Sequence, residues 1–317
     1  MCRRHAPWYA KDWPVGFSLL FLPRKLILMK FGQVPHPESV DFSLPADHPD
    51  TVKILAASKK KTPFEAYVGC AKWNRTDLKG FYPRGTKDEL SYYATQFNSI
   101  ELNATFYHAP DARQVETWRD KTPPEFRFYP KIPSTVSHFR RLVGVREPVL
   151  AFCDAINHFE DRLGIPFLQL HDNFGPANLD RLQDFLDTFP RGMPLAVELR
   201  NAAWFAEGAD NDQVFALLKK HHKEAILVDT AGRRDMLHMR LTTPRAFVRF
   251  VGANHPSDYQ RLDDWLKRIT VWHKQGLRSL HFFLHQHIER ESPLLSAYFI
   301  EGLNKALGIK LKIPVMA

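Results

Sequence analysis

The sequence predicts an α/β fold: a single (β/α)8 TIM-type barrel over residues 64–317, preceded by a loosely ordered N-terminal extension over residues 1–63. Three observations carry the prediction. Eight short apolar runs alternate with helix-like segments through about 250 residues, the usual size of one such barrel. Several runs are continuously apolar instead of alternating, as parallel strands covered on both faces are. No GxGxxG follows the first run, so the phosphate-binding turn of the competing architecture, a doubly wound open sheet, is missing.

The strands, in order, are Ala66–Cys70, Ser99–Leu102, Phe126–Pro130, Pro166–Leu170, Leu195–Leu199, Ala225–Asp229, Ala246–Val251 and Leu280–Leu284. Helix starts between them carry chemical signatures. Thr86 and Glu89 have the spacing of a capping box, in which hydroxyl and carboxylate satisfy free amides of the first turn. Asp111, Asn178 and Asp210 read as N-caps, and Ser292-Pro293 puts proline where a first turn accepts it. Within Asp258–Gln275, Leu262, Trp265, Leu266, Ile269 and Trp272 recur at helical spacing, with Asp263, Asp264, Lys267 and Arg268 between them. No second domain is indicated.

The first sixty residues differ in kind. Val15–Leu22 is apolar but is cut by Pro23, Arg24 and Lys25, far short of the roughly 20 residues a membrane helix requires. Asp12, Trp13 and Pro14, with no small-residue cleavage site, argue against a secretory signal. Met29-Lys30-Phe31 has the form of a natural start, so residues 1–28 are read as an upstream extension that need not be native. Residues 33–50 are rich in proline and acids, and Lys59-Lys60-Lys61 leads into the folded unit near Phe64. Solvated linker charge is the simpler reading of those lysines.

Composition narrows the classes. Hydrophobic residues at 44% and charged residues at 25% exclude a disordered or fibrous chain. Cys2, Cys70 and Cys153 build neither a disulfide framework nor a CxxC metal site, and a cytoplasmic location is expected. The net charge of +9 is concentrated early: residues 1–63 hold 10 Lys/Arg against 5 Asp/Glu, the rest 34 against 30. The barrel itself is nearly balanced, so nucleic acid is not the expected partner. A small-molecule ligand and no membrane are expected, and the sequence fixes no oligomeric state.

In such barrels reactive groups project from the C-terminal strand ends. Those positions hold Trp73 and Asn74, then Glu101, Asn103, Tyr107 and His108, then Lys131 and His138, then Gln169, His171 and Asp172. Glu198, Arg200, Asn201 and Trp204 follow, then Asp229, Arg249, and finally His285, Gln286 and His287. Glu101 and Asn103 are two apart on an extended chain and share a face, as do Glu198 and Arg200. Leu102 and Leu199 then point to the helices.

Two readings stand for each charged residue. Glu198 with Arg200 or Arg249, and Glu101 with Lys131, are either buried pairs that organise the mouth or members of a site. Trp73, Tyr107 and Trp204 are either packing or a rim for stacking against a sugar or base. His285-x-His287, with His281 four residues earlier and His171 or Asp229 as further donors, is the one metal-like pattern. Its spacing is not diagnostic, and no cofactor is expected. No GxSxG elbow or GxxxxGK[ST] loop occurs, and Cys70 reads as a small apolar filler.

The run YVGCAKWNRTDLKGFYP, then ELSYYATQFNSIELNATFY, then VETWRDKTPPEFRFYPKIPSTVSH resembles the YecE-like family, also called domain of unknown function 72. FLQL, LAVELRNAAW, ILVDT, FVRFVG and DYQRLDDW extend the match across residues 66–300. The resemblance implies a TIM-barrel-like fold and little about activity. It marks Trp73, Glu101, Asn103, Phe106, Tyr107, Lys131, His138, Gln169, Glu198, Arg200, Trp204, Asp229 and Arg249 as family-typical positions. The sequence departs at GCAKW, where a GTSGW-like turn is usual, and at FLHQH, where an FNN-like end is usual. Any role for His285 would therefore belong to a subgroup.

The expected function is that of an enzyme acting on a small polar or anionic compound, carbohydrate or phosphorylated. Glu101 and Glu198 are the expected acid and base, with Asp229 and Lys131 beside them. Lys131, Arg200 and Arg249 would orient an anion, and Trp73, Asn103, Tyr107, His138, Gln169, Trp204 and His285 would bind substrate. A desolvated Lys131 would also suit Schiff-base chemistry. Hydrolase, lyase and isomerase remain open. The alternatives are a non-catalytic ligand-binding or scaffold protein and, further off, a nucleic-acid-processing barrel.

Overall fold

The computed structural model describes residues 32–58, 63–206 and 209–317. The expectations for residues 1–28 and the lysine run lie outside these, as do the side chains of residues 209–211 and with them the Asp210 cap.

All eight expected strands form: β1 (Glu65–Cys70), β2 (Ser99–Leu102), β3 (Arg127–Pro130), β4 (Phe167–Gln169), β5 (Ala196–Glu198), β6 (Glu224–Thr230), β7 (Arg245–Val251) and β8 (Ser279–His285). Six run parallel in the order β1-β8-β7-β6-β5-β4, and β2 pairs in parallel with β3. Main-chain contacts join the two groups on one side, where Ile132 N donates to Phe167 O (2.8 Å) and Gly164 N to Phe128 O (2.8 Å). Side chains join them on the other. Asn98 accepts from Val68 N (3.0 Å) and donates to Ala66 O (2.8 Å), while the Tyr93 hydroxyl accepts from Cys70 N and donates to Ser99 O. Tyr129, Phe167, Ile226, Val228, Phe247 and Phe283 fill the interior as a cluster of their own, and a larger apolar layer lies between strands and helices.

The β1–β2 seam depends on Gly69. A Cβ there would collide with the Ser99 carbonyl oxygen, and backbone cannot move aside as a flexible side chain can. Gly69→Ala is expected to lower stability by about 1–3 kcal/mol, readable as a shift of the urea midpoint.

Helices α2 (Glu89–Gln96), α4 (Ala112–Asp120), α5 (Arg146–Asn157), α6 (Leu179–Thr188) and α7 (Ala209–Lys220) follow β1 to β5, with a one-turn α3 (Ala104–Tyr107) before α4. Helices α8 (Ser257–Gln275) and α9 (Ser292–Leu307) follow β7 and β8. Asp111 caps α4 as expected, accepting from Gln114 N (2.8 Å). The expected Thr86–Glu89 box does not form. Asp88 caps α2 instead, accepting from Ser91 N, while Thr86 turns back to Pro83 O and Glu89 pairs with Arg75. Asn178 holds the N-cap position of α6, but its amide donates to Gly175 O. Pro293 sits in the first turn of α9, and Leu262, Trp265, Ile269 and Trp272 form the buried stripe of α8.

One helix is missing from the alternation. Between β6 and β7 the described chain forms only a 3-10 turn, Arg234–Met236. The vacancy is covered by α1 (Pro49–Ala57), which comes from the lead-in expected to be loosely ordered. Thr51 Oγ1 donates to Met239 O (2.9 Å) and accepts from Leu241 N (2.8 Å), both in the β6–β7 connection. Asp50 pairs with Arg240, which also reaches Asp212 of α7, and Leu55 is fully buried. On the other flank Asp47 accepts from Arg268 (2.5 Å) and Trp272 (3.0 Å) of α8. Docked residues therefore begin well before Phe64. Among the described residues, no helix is long and apolar enough to cross a membrane.

Candidate functional site

Six strand tips each deliver a side chain to the C-terminal mouth. Arg249 is the hub: Nε and Nη2 each donate to Glu101 (2.8 Å), Nη1 donates to Glu198 Oε2 (2.5 Å), and Nη2 lies 3.3 Å from His285 Nε2. His285 Nε2 also stands 3.0 Å from Glu101 Oε2. Glu198 Oε1 accepts from Arg200 Nε (2.7 Å) and from Gln169 Nε2 (2.9 Å). Gln169 Oε1 in turn accepts from Lys131 Nζ (3.0 Å). Asn103 Nδ2 donates to Glu101 Oε1 (2.8 Å), so both two-residue spacings place their members on the inner side.

Burial sets the electrostatics. Glu101 and Glu198 are fully buried and Arg249 nearly so. Burial alone would raise both carboxyls, but Arg249 outweighs it. Arg249 and His285 hold Glu101 well below the usual range, and Arg249, Arg200 and Lys131 bring Glu198 to about 2. Both are therefore fixed as anions near neutrality, and neither has a proton to give.

Lys131 is the opposite case. It is 7% exposed, and among the described residues no carboxylate stands within salt-bridge reach of its Nζ. Besides Gln169 it meets the face of Phe106, 4.0 Å from the ring centroid. Burial first, then Arg249, bring its ammonium down from 10.5 to about 7. The Glu101–Lys131 pairing entertained from sequence does not occur. His138, on a short π-helical turn, is half-buried with its ring edge-on to Phe106 (4.9 Å) and near His171 (5.1 Å). Burial and Lys131 push it down to about 4, so it is neutral at pH 7.

Three expectations are corrected. Asp229 does not face the mouth: Val228 pairs in register with the inward Arg249, and Asp229 with the outward Phe250. It lies in the helix layer, accepting from Arg261 (2.7 Å), Trp265 (2.8 Å) and Arg234, with the Phe42 ring of the N-terminal segment over Arg261. Trp204 is fully buried and donates to Phe174 O (2.6 Å), which makes it a packing residue. Trp73 packs edge-on to Trp118 while Tyr107 is 73% exposed, so the three aromatics form no common stacking rim. The histidines do not converge either. His281 is a barrel-interior residue held by Tyr129 (2.7 Å) and Ser279 (2.9 Å). Among the described residues no three His, Cys, Asp or Glu are placed to hold a metal ion.

Phe106 is the site residue to which sequence reasoning gave no role; its only signal was a family-typical position next to Tyr107.

A parallel (β/α) barrel with a buried charged cluster at its strand tips belongs among the TIM-barrel proteins. More narrowly, the chain belongs to the DUF72 family: the family model described as "Protein of unknown function DUF72" matches residues 67–315. It is 29% identical over 263 residues to the UPF0759 protein YecE of Escherichia coli K12, covering 76% of this chain and 93% of that protein. It is 26% identical over 156 residues to the UPF0759 protein YunF of Bacillus subtilis 168, covering 44% and 52%. Among solved structures, a DUF72 family protein of Thermotoga maritima matches with TM-score 0.59 and 25% identity, covering 76% of this chain and 99% of that one. One from Enterococcus faecalis matches with TM-score 0.61 and 18% identity, covering 78% and 99%.

Proposed function

We propose that this protein is an enzyme acting on a small polar or singly anionic substrate at the barrel mouth, with Lys131 as the group that takes up and releases a proton. The observation that carries the reading is a buried amine with no carboxylate partner among the described residues, lying on an aromatic face beside a cluster of paired charges. A lysine placed for stability alone would sit against Glu101 or Glu198. The acid–base role first expected of those carboxylates passes to Lys131, because they are held as anions by Arg249 while Lys131 titrates near neutrality. Glu101 and Glu198 then serve as positioning residues that fix Arg249, Gln169 and, through Gln169, the lysine. Arg249 is the more deeply buried of the two arginines, so anion orientation falls to the half-buried Arg200, with His138 as a neutral hydrogen-bonding group. The buried, internally neutralised cluster suits a small molecule better than a nucleic acid, and the free, buried Cys70 and Cys153 suit a reducing cytoplasm.

Lys131→Met separates function from structure. Turnover of any substrate found by screening small carbohydrates, phosphorylated compounds and carbonyl acids is expected to fall about 10²–10⁴-fold. The same variant is expected to be more stable at pH 7 and below by about 1–4 kcal/mol, as when apolar side chains replace buried charge. The sign follows from linkage: between about 7 and 10.5 the unfolded chain holds a proton on Lys131 that the folded chain lacks. Wild-type stability therefore rises with pH across that window, and the variant loses that slope. Turnover surviving in Lys131→Met, or binding without turnover in the wild type, would overturn the reading.

A further inference from the structure

We propose that Lys131 forms an imine with a small aldehyde or ketone that carries an anionic group. The inference rests on the reading of Lys131 as the mouth's neutral-capable amine and adds the substrate class and the covalent step.

The geometry presents the nitrogen as a nucleophile. Its main chain is pinned, with Lys131 N donating to Leu102 O (3.2 Å) and Lys131 O accepting from Thr105 Oγ1 (2.7 Å). Gln169 cannot turn round, because its amide nitrogen donates to Glu198, so its oxygen must face Nζ. That oxygen takes one N–H and leaves the lone pair of a neutral amine unengaged. The Phe106 face at 4.0 Å excludes water from one side and stabilises a cation there, which suits the protonated imine as well as the ammonium. Arg200, His171 and the neutral His138 are half-buried at the same rim, and Arg200 supplies a cationic fork towards the substrate's carboxylate or phosphate.

The step balances without an oxidant or a metal. The Nζ lone pair forms the C–N bond at the carbonyl carbon and the carbonyl π pair moves to oxygen; nitrogen then gives up one proton and oxygen gains one, relayed by water, which leaves a neutral carbinolamine. The nitrogen lone pair forms the C=N bond as the C–O bond breaks, the hydroxyl takes a proton from solvent and leaves as water, and the iminium keeps its positive charge until its remaining N–H proton is given back to solvent.

The test uses the full chain with pyruvate as the anionic probe and acetaldehyde as the uncharged one, each with borohydride, followed by peptide mass mapping. Borohydride delivers hydride to the imine carbon and leaves a stable secondary amine. Pyruvate is expected to label Lys131 at least about tenfold more than the exposed Lys267 and Lys274, and more than acetaldehyde does. Labelling there should vanish in Lys131→Arg. In parallel, the Lys131 ε-carbon is titrated by NMR, assigned with Lys131→Met. No preferential labelling with a midpoint near 7 overturns the imine and leaves the proton-transfer role standing. A midpoint at the ordinary lysine value overturns both.

Discussion

Replacing Arg249 with methionine is expected to destabilise the protein by about 3–5 kcal/mol at pH 7 and to change the sign of the carboxylates' pH dependence. Two fully buried carboxylates share this guanidinium, and its removal leaves Glu101, among the described residues, with Asn103 and His285. Glu198 keeps Arg200 and Gln169. In the wild type both folded-state values lie below the ordinary 4.5, that of Glu198 near 2. Their contribution is therefore present above about 4.5 and is lost as the pH falls towards 2. Without Arg249, burial dominates and Glu101 titrates above 4.5. Its contribution is then favourable only in acid and is lost as the pH rises. The gap between wild type and variant should be wider at pH 7 than at pH 4.5, measured by urea unfolding at both. Arg249→Lys should recover part of the loss only, because a compact ammonium cannot span two carboxylates with a planar fork. A gap independent of pH would mean that the cluster is not organised around this guanidinium.

That prediction draws on parts of the site that were legible in the sequence and parts that were not. Strand parity is local: one apolar residue between Glu101 and Asn103, and one between Glu198 and Arg200, was enough to put each pair on one side. Parity fails for Asp229 because β6 is buried along its whole length, and nothing within AILVDT says which alternate set faces inward. The register with β7 decides it, and that is a contact between residues far apart in the chain. The same holds for Trp204, whose indole finds its acceptor on Phe174, and for Lys131, whose lack of a carboxylate partner is a property of the assembled mouth. The capping box failed for a smaller reason. Asp88, one residue before Glu89, is itself a good cap, and the helix starts from it.

The N-terminal segment shows the limit most clearly. Its prolines and acids resemble those of a linker, yet Pro49 is the first residue of a helix, and Thr51 and Leu55 lie one turn apart on its buried face. The complementary signal was the connection between β6 and β7, which contains Gly232 and Thr-Thr-Pro and shows no helical period. A barrel lacking one covering helix needs apolar cover from elsewhere.

Deleting residues 1–63 is accordingly expected to abolish stable folding, with a loss above about 5 kcal/mol, comparable to the whole stability of many domains. Several costs coincide. The β6–β7 face loses its cover, including the fully buried Leu55, where truncation to alanine alone should cost about 2–5 kcal/mol. Arg240, nearly buried, loses Asp50 and is left with the Phe215 ring and Asp212, whose side chain is largely exposed. Leu241 N loses its acceptor on Thr51, and an unsatisfied buried amide costs about 1–3 kcal/mol. Arg234 loses the carbonyls of Phe42 and Ser43, and Arg261 loses the Phe42 ring, so the Asp229 cluster is opened to water. A chain beginning at Met29 retains every one of these contacts and should still fold. Thr51→Val and Leu55→Ala, made singly in the full chain, give graded versions of the same loss. Circular dichroism and size-exclusion chromatography decide the outcome. A folded, monodisperse protein starting at Phe64 would mean that α1 merely rests on the barrel, whereas loss of folding confined to that deletion would make α1 the eighth helix of its outer layer.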